Sequence, residues 1–239
     1  MQVLIPCAGA GSRFEKAGYS FPKPLIAVKN FNDKPMIQVV VENLGIPAIH
    51  TFIVRKEHTQ QYHFKQLLNR IAKCNIVEVD HLTEGAACTT LLAKKFINND
   101  EPLLIANSDQ YIENFDWNKF MYSMQGDKID GGILTFNNSH PKWSYVRLDD
   151  NGFVTEVKEK EVISNEATVG IYYWSKGSDY VKYAEQMIAK NVRVNNEFYV
   201  APVYNEAIGD GKKVKIFHIN KMWGLGTPED LTYFQDHFK

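Results

Sequence analysis

A glycine-rich turn directly after a short apolar run constrains what this chain can fold into more than any other feature of its sequence. The run covers Val3 to Ile5 and stops at Pro6, and the turn reads Ala8-Gly9-Ala10-Gly11-Ser12. This pattern is typical of a buried strand that enters a loop. Because glycine has no side chain, backbone N–H groups of such a loop can approach phosphate oxygens closely. We therefore expect an anion-binding loop at the end of the first strand.

Two basic residues strengthen this expectation. Arg13 follows the turn, and Lys23 lies in Pro22-Lys23-Pro24-Leu25. Their positively charged side chains can neutralise the charge of a phosphate, whereas backbone N–H groups only donate hydrogen bonds to it. The spacing excludes a GxGxxG loop, since Phe14 stands where the third glycine would be, and GxxxxGK[ST] is absent. A glycine turn with two solvated cations is the alternative interpretation.

The first half of the chain alternates between strand and helix patterns. Strands are predicted at 3–5, 50–54, 76–79 and 102–106, and helices at 35–44, around 67–71 and at 86–95. Such alternation predicts a mostly parallel sheet covered by helices.

The second half contains more strands. They are predicted at 131–136, 144–148, 153–157, 168–174 and 214–218, with helices at 179–189, 199–208 and 228–238. The turn sequence Asp149-Asp150-Asn151-Gly152 predicts a hairpin, which makes the sheet mixed. No linker separates two domains. The predicted fold is an α/β, three-layer Rossmann-like sandwich with a mixed, mostly parallel sheet, in one domain over 1–239.

Composition excludes several classes of protein. With 27 basic and 28 acidic residues, the formal charge is -1, which provides no field for steering nucleic acid or for binding an acidic membrane. No segment has the length of a membrane span, and the N-terminus lacks signal-peptide features. The three cysteines show no CxxC spacing, and the scattered histidines give no zinc pattern. We expect a cytoplasmic protein.

Six short motifs, in order along the chain, resemble those of the nucleoside-triphosphate transferase family, which makes nucleotide sugars and includes cytidylyltransferases acting on phosphorylated alcohols. They are the glycine loop with Arg13-Phe14 and Pro22-Lys23-Pro24-Leu25, Thr83 to Ala87, Asn107-Ser108-Asp109, Glu156 to Lys160, Thr168 to Tyr172, and Trp223 to Pro228. The chain is similar to the short nucleotidyltransferases of bacterial capsule and surface-polysaccharide loci. The resemblance implies a nucleotide-binding half over about 1–130 and an acceptor-binding half over about 131–239.

The resemblance also implies a reaction and the residues that perform it. A phosphomonoester oxygen would attack the α-phosphorus of a nucleoside triphosphate and release pyrophosphate, with catalysis by positioning and charge neutralisation. Arg13 and Lys23 would be catalytic, and Asp109 would bind Mg²⁺. The nucleotide would contact Ala8, Gly9, Ala10, Gly11, Ser12, Arg13, Lys23, Glu84, Gly85, Ala86 and Ser108. The acceptor would contact Lys160, Gly170 and Glu197, with Lys158 as a substitute for Lys160.

Two residues depart from the family pattern. Gly224 stands where a second metal-binding aspartate is expected, so either phosphate and water complete the site or another acid substitutes, for which Glu197 is a candidate. Glu84 stands where many relatives carry glutamine. A carboxylate can only accept hydrogen bonds, which would favour the amine of cytosine and makes CTP the preferred donor. We then expect Glu84→Gln to shift preference toward UTP or dTTP.

The acceptor and the rival functions are less determined by the sequence. Aromatic residues near 172–174 and 198–204 could form a cage for a choline-like cation, but such a stripe more often belongs to the core. No C-terminal β-helix is expected after residue 228, so the oligomeric state stays open. The rivals are a nucleotide-sugar-dependent glycosyltransferase of GT-A type and a catalytically silent nucleotide-binding protein. Pyrophosphate release separates the proposed reaction from both.

Overall fold

One mixed sheet organises the computed structural model, which describes residues 1–126 and 128–238. The strands are β1 Gln2–Pro6, β2 Ala27–Val28, β3 Lys34–Pro35, β4 Ile49–Arg55, β5 Cys74–Val79, β6 Leu103–Ala106, β7 Gln110–Ile112, β8 Gly131–Asn137, β9 Ser144–Leu148, β10 Val154–Glu159, β11 Glu166–Trp174, β12 Val214–His218 and β13 Met222–Gly224. Within the sheet, β5, β4, β1 and β6 are neighbouring parallel strands. The antiparallel β11 joins β6 to β8, which pairs with the parallel β12.

Helices cover both faces of this sheet. They are α1 Ser12–Lys16, α2 Met36–Leu44, α3 Lys56–Gln61, α4 Phe64–Ile71, α5 Ala86–Leu91, α6 Lys94–Ile97, α7 Trp117–Gly126, α8 Gly177–Ala189, α9 Val203–Gly209 and α10 Pro228–His237. Side chains alternate along β1: Val3 and Ile5 join the hydrophobic core under α2, and Leu4 joins the core under α8. Two cores on opposite faces confirm the three-layer α/β fold.

The β9–β10 hairpin extends the sheet at the start of β11, where Ala167 pairs with Tyr145. It lies at the predicted hairpin, and the Asp149 side chain accepts hydrogen bonds from the N–H groups of Asn151 and Phe153, which closes the turn. The hairpin carries Ser144 and Glu159 toward the loops that follow β1 and β6.

Two predicted helices differ from the structure. The helix predicted over 86–95 is divided into α5 and α6 at Leu92 and Ala93. The helix predicted from Tyr199 begins only at Val203, because Pro202 disfavours helical backbone at the residue before it and residue 198 pairs with another loop. Tyr199 is thereby left outside the helix and lines a cavity.

Several elements were not predicted, including α7 and a small antiparallel sheet of β7 and β13. In that sheet Gly224 lies opposite Gln110, which brings the closing segment of the chain beside the loop after β6. No helix among the described residues is long and apolar enough to cross a bilayer.

Candidate active site

A cavity of about 400 Å³ lies at the carboxyl ends of β1 and β6 and is called the first cavity. Its lining residues are Pro6, Cys7, Ala8, Gly9, Ala10, Lys23, Val79, His81, Leu82, Thr83, Gly85, Ala86, Thr89, Asn107, Ser108, Asp109 and Glu197. Because β1 and β6 are parallel neighbours, the loops that leave their carboxyl ends meet at this edge of the sheet. The glycine loop and the Asn107–Asp109 segment therefore both line this cavity.

The glycine loop leaves room for a ligand on its cavity side. A Cβ atom at Gly9 would meet no atom within 4 Å, whereas one at Gly11 would lie 3.6 Å from the Cβ of Lys23. Gly11 has a φ of 65° and immediately precedes α1. Gly11 and Ser12 are absent from the described lining of the cavity, so their predicted contacts stay predictions.

Lys23 and Asp109 form an ion pair in the wall of the first cavity. The Lys23 Nζ lies 2.8 Å from the Asp109 Oδ2, and the two side chains are 21% and 24% exposed. Pro22 and Pro24 hold Lys23 at the start of a 3₁₀ turn, Lys23–Leu25. Beside them, burial raises the pKa of the Cys7 thiol to about 12, so this wall residue stays neutral at physiological pH.

Gly85 is required by the close approach of a distant segment. Its φ is 127°, and a Cβ there would lie 2.5 Å from the backbone N and O of Phe198. The Phe198 N–H donates to the Glu84 carbonyl at 2.8 Å, and the Ala87 N–H donates to the Phe198 carbonyl at 2.9 Å. The 83–87 loop is thereby bonded on both sides to the segment at 197–199.

Glu84 is absent from the described lining of the first cavity. It pairs with Arg193, and its side chain is 65% exposed. The Arg193 guanidinium in turn lies 4.0 Å from the centre of the Phe198 ring. Since Arg193 already binds the Glu84 carboxylate, selection of cytosine by Glu84 stays a prediction from the sequence.

A tight turn at Asn195 and Asn196 precedes Glu197, Phe198 and Tyr199. Both asparagines have positive φ, and Val194 pairs with Glu197 across the turn. This is the backbone of a type I′ turn, which asparagine tolerates. Glu197 lines the first cavity, and its side chain also interacts with the hydroxyl of Tyr199, which lines the second. Its assignment to the acceptor stays a prediction.

The second cavity, of about 470 Å³, adjoins the first, and the two share Ala86, Asn107 and Asp109. It is lined by Arg13, Ala86, Asn107, Asp109, Gln110, Lys142, Trp143, Ser144, Glu159, Lys160, Thr168, Val169, Gly170, Tyr172, Tyr199, Val200, Ala201, Met222, Gly224, Gly226, Thr227 and Asp230. Arg13 thus faces this cavity from the exposed helix α1.

Lys160 projects into the second cavity from a left-handed backbone conformation with a φ of 57°. Its ammonium group donates to the Tyr199 hydroxyl and lies 4.6 Å from the centre of that ring. Lys158, the alternative from the sequence, pairs with Glu156 at 3.4 Å and is absent from the described lining. Left-handed backbone at a non-glycine residue is uncommon and is often associated with functional sites.

Gly170 and Glu159 shape the floor of this cavity. Gly170 has a φ of 84°, and a Cβ there would lie 2.2 Å from the Asn107 Nδ2, so a side chain would push against the loop after β6. Burial raises the pKa of the Glu159 carboxyl, although the Ser144 hydroxyl and Lys160 oppose the rise. A half-buried carboxyl that lines a cavity is suited to bind a hydroxyl group.

Family comparison agrees with this arrangement. The sequence model of the family described as "Nucleotidyl transferase" matches residues 2–237. The chain belongs to the nucleotidyl transferase family. This nucleotidyl transferase chain is 24% identical over 238 residues to the mannose-1-phosphate guanylyltransferase catalytic subunit beta of Drosophila pseudoobscura pseudoobscura, covering 96% of the chain and 60% of the relative. It thus spans little more than half the length of that relative.

A second relative is more similar in size. The D-glycero-alpha-D-manno-heptose 1-phosphate guanylyltransferase of Campylobacter jejuni is 26% identical over 181 residues, covering 74% of this nucleotidyl transferase chain and 76% of the relative. Among solved structures, a nucleoside-diphosphate-sugar pyrophosphorylase of Vibrio cholerae RC9 has a TM-score of 0.84 at 23% identity, covering 98% of the chain and 100% of that structure. At this identity the match shows the fold.

Asp109 offers this nucleotidyl transferase chain a suitable ligand for Mg²⁺. The described residues contain no group of three or more His, Cys, Asp or Glu side chains that could hold a metal. However, Mg²⁺ is commonly bound by one or two carboxylates together with substrate phosphates. Gly226 keeps one side of Asp109 clear, since a Cβ there would lie 2.8 Å from its Oδ2. The donor set and this cleared space fit the cation.

Several residues of the second cavity were assigned no role from the sequence, among them Lys142, Trp143, Glu159 and Asp230. Glu159 stands directly before Lys160 in a segment that the sequence had already singled out, so it could have been found. Lys142 and Asp230 lie 88 positions apart along the chain and pair at 3.2 Å only in the fold. The predicted aromatic stripe is mostly core, with Tyr172, Tyr173, Trp174, Phe198 and Tyr204 buried.

Proposed function

We propose that this chain transfers a nucleotidyl group from a nucleoside triphosphate to a phosphorylated sugar and releases pyrophosphate. The observation that carries the proposal is the pair of adjoining cavities that share Asp109, with Lys23 beside it. A donor in the first cavity and an acceptor in the second would present their phosphates to each other at this point. Holding two reactants in this geometry makes a bimolecular reaction effectively unimolecular.

The reaction needs no nucleophile from the protein. An oxygen of the acceptor phosphate forms a bond to the α-phosphorus, and the bond from that phosphorus to the oxygen bridging to the β-phosphate breaks. Pyrophosphate leaves with the electron pair of that bond. Lys23 would stabilise the charge that develops at the α-phosphate. Arg13, which lines the second cavity, would neutralise phosphate charge where the donor and the acceptor meet. Mg²⁺ bound through Asp109 would supply further neutralisation of phosphate charge.

The second cavity favours a hydroxylated acceptor over choline phosphate. An aromatic cage for a quaternary ammonium group needs open ring faces. Here Lys160 lies over the Tyr199 ring, and Lys142 lies 4.7 Å from the centre of the Trp143 ring. Two ammonium groups would repel a cationic acceptor and attract its phosphate. Glu159 and neighbouring hydroxyl groups on Ser144, Thr168 and Tyr172 would then bind sugar hydroxyls.

We propose a donor whose base carries an exocyclic amino group, a class that contains cytosine, guanine and adenine. Besides Asp109, which is assigned to the cation, the acidic residue in the described lining of the first cavity is Glu197. A carboxylate accepts hydrogen bonds from amino groups but not from the carbonyls of uracil or thymine. CTP, the donor predicted from the sequence, belongs to this class. Both curated relatives above are named guanylyltransferases. A role in capsule or surface-polysaccharide precursor synthesis stays a prediction from resemblance.

A matrix of five nucleoside triphosphates against a panel of phosphomonoesters, scored by pyrophosphate formation, tests the proposal. We expect pyrophosphate only when donor and acceptor are both present, with CTP or GTP above UTP and dTTP, and sugar 1-phosphates above choline phosphate. A glycosyltransferase would form no pyrophosphate in any combination. Sustained turnover of choline phosphate with no sugar phosphate accepted would contradict the proposed acceptor class.

A further inference from the structure

Position 224 lacks a side chain, and a carboxylate from elsewhere in the chain lies beside it. A Cβ atom at Gly224 would be 3.5 Å from the Asp230 Oδ2 and the same distance from its Cγ. An aspartate at 224 would extend its own carboxylate into the same neighbourhood. Since two carboxylates so close repel each other, glycine at 224 leaves this space to Asp230.

The start of α10 holds Asp230 in this position. Thr227 precedes the helix, and its hydroxyl oxygen accepts a hydrogen bond from the Asp230 N–H at 3.1 Å. Pro228 occupies the first turn. This N-cap fixes the backbone of Asp230, and its side chain, 30% exposed, extends into the second cavity.

The segment 224–226 connects Asp230 to Asp109. The Leu225 N–H donates to the Asp109 carbonyl at 2.8 Å, and Gly226 lies against the Asp109 carboxylate. Both carboxylates line the second cavity from opposite ends of this three-residue segment. Each also holds a lysine of the chain, Lys23 at 2.8 Å from Asp109 and Lys142 at 3.2 Å from Asp230. Each carboxylate thus already binds one cationic side chain, which a metal ion would replace.

We propose that Asp230 supplies the carboxylate that position 224 lacks, and that Asp109 and Asp230 together hold the divalent cation of this site. A hard cation takes oxygen ligands from carboxylates, phosphate and water, which are the groups present here. The ammonium group of Lys142, released from Asp230, is then available for the acceptor phosphate. The proposal rests on the proposed function for the identity of that phosphate, but cation binding can be measured without turnover.

Titration of the protein with Mn²⁺, followed by electron paramagnetic resonance of the free ion, tests this assignment. We expect Asp230→Asn and Asp109→Asn each to weaken Mn²⁺ binding by about tenfold or more, the scale on which a metal site loses affinity when its supporting groups are removed. Glu229→Gln is the matched control, because Glu229 occupies the same helical turn but lies outside both cavities. It removes the same favourable charge from the helix start and should leave Mn²⁺ affinity unchanged.

A rescue variant tests the position of the carboxylate. In Gly224→Asp combined with Asp230→Asn, the carboxylate returns to position 224, and Mn²⁺ affinity should recover to within a fewfold of the original. Equal Mn²⁺ affinity in Asp230→Asn and Glu229→Gln would overturn the proposal. So would a loss of Mn²⁺ affinity in Glu197→Gln without one in Asp230→Asn, since that result would assign the ligand to Glu197. A protein that binds Mn²⁺ as expected but forms no pyrophosphate would refute only the proposed function.

Discussion

At the scale of single residues, Lys23 has the position expected for charge stabilisation. It lies in the wall of the first cavity and contacts the carboxylate shared by both cavities. Lys23→Ala should lower kcat by about two to three orders of magnitude, the cost of removing one group that stabilises transition-state charge. Steady-state pyrophosphate release measures this. Lys34→Ala is the control, because Lys34 forms an exposed pair with Glu42 outside both cavities. Equal rates in the two variants would remove Lys23 from the mechanism.

The two glutamates near the first cavity should respond differently to neutralisation. Glu84→Gln should leave the preference among bases unchanged, because the Glu84 carboxylate contacts Arg193 rather than the cavity. Glu197→Gln should raise kcat/KM for UTP relative to CTP, because Glu197 lines the cavity. Ratios of kcat/KM over the five donors measure both effects. A shift toward UTP or dTTP in Glu84→Gln would restore the interpretation made from the sequence.

Glu159 should make folding stability depend on pH. Burial raises the pKa of its carboxyl above the ordinary 4.5, so the folded chain keeps this proton at pH values where the unfolded chain has lost it. This contribution to the free energy of unfolding therefore falls as pH rises from 4 toward 7. Glu159→Gln has no carboxyl to titrate. Its free energy of unfolding should therefore rise relative to that of the unsubstituted chain as pH increases from 4 toward 7, which urea unfolding at each pH measures. A difference in the free energy of unfolding that does not change with pH would contradict the raised pKa.

At the scale of elements, the sequence predicts most strands well, because buried strands are short apolar runs bounded by turn residues. Ser144–Leu148 and Val214–His218 match their predictions in both bounds. The first and last residues of the helices are harder to predict. The predicted helix from Tyr199 runs into Pro202, and the Phe198 backbone is bonded to Glu84 and Ala87, so the helix begins only at Val203. Such a tertiary contact between distant residues overrides local propensity and cannot be read from the pattern.

The sequence of α7 contains a helical pattern of apolar residues from which this helix could have been predicted. Trp117, Phe120, Met121 and Met124 follow helical spacing, and Phe120 and Met124 are buried in one core. The β7–β13 pair, by contrast, joins residues more than 100 positions apart in two short strands. Short strands of this kind carry too few residues for a periodic pattern to appear.

The backbone hydrogen bonds between the 83–87 loop and the 197–199 segment should depend on glycine at position 85. Gly85→Ala introduces a Cβ against the Phe198 backbone and a φ that alanine disfavours, at a cost of about 1–3 kcal/mol for the backbone conformation alone. Gly209→Ala is the control, since a Cβ there meets no atom within 4 Å at the end of α9. Urea unfolding should show destabilisation only in Gly85→Ala. Equal stability of the two variants would contradict the tight contact.

At the scale of the whole molecule, sequence reasoning obtained the fold class because alternating strands and helices determine a layered α/β architecture. It also located the loops after β1 and β6, which parallel pairing brings together. It did not find that Asp230 approaches Gly224, or that Lys142 and Trp143 line the second cavity with Lys160. Those contacts depend on the β9–β10 hairpin and α10 packing around the loop after β6, which is set by tertiary geometry.

The central claim is that the donor's triphosphate binds where β1 and β6 end. A crystal structure of the protein soaked with CTP or GTP and Mg²⁺ tests it most directly. The account predicts phosphate density against the backbone of Ala8 to Gly11 and the ammonium group of Lys23, with the base toward Gly85. Nucleotide bound in another part of the molecule, with the space beside Lys23 and Asp109 empty, would contradict it.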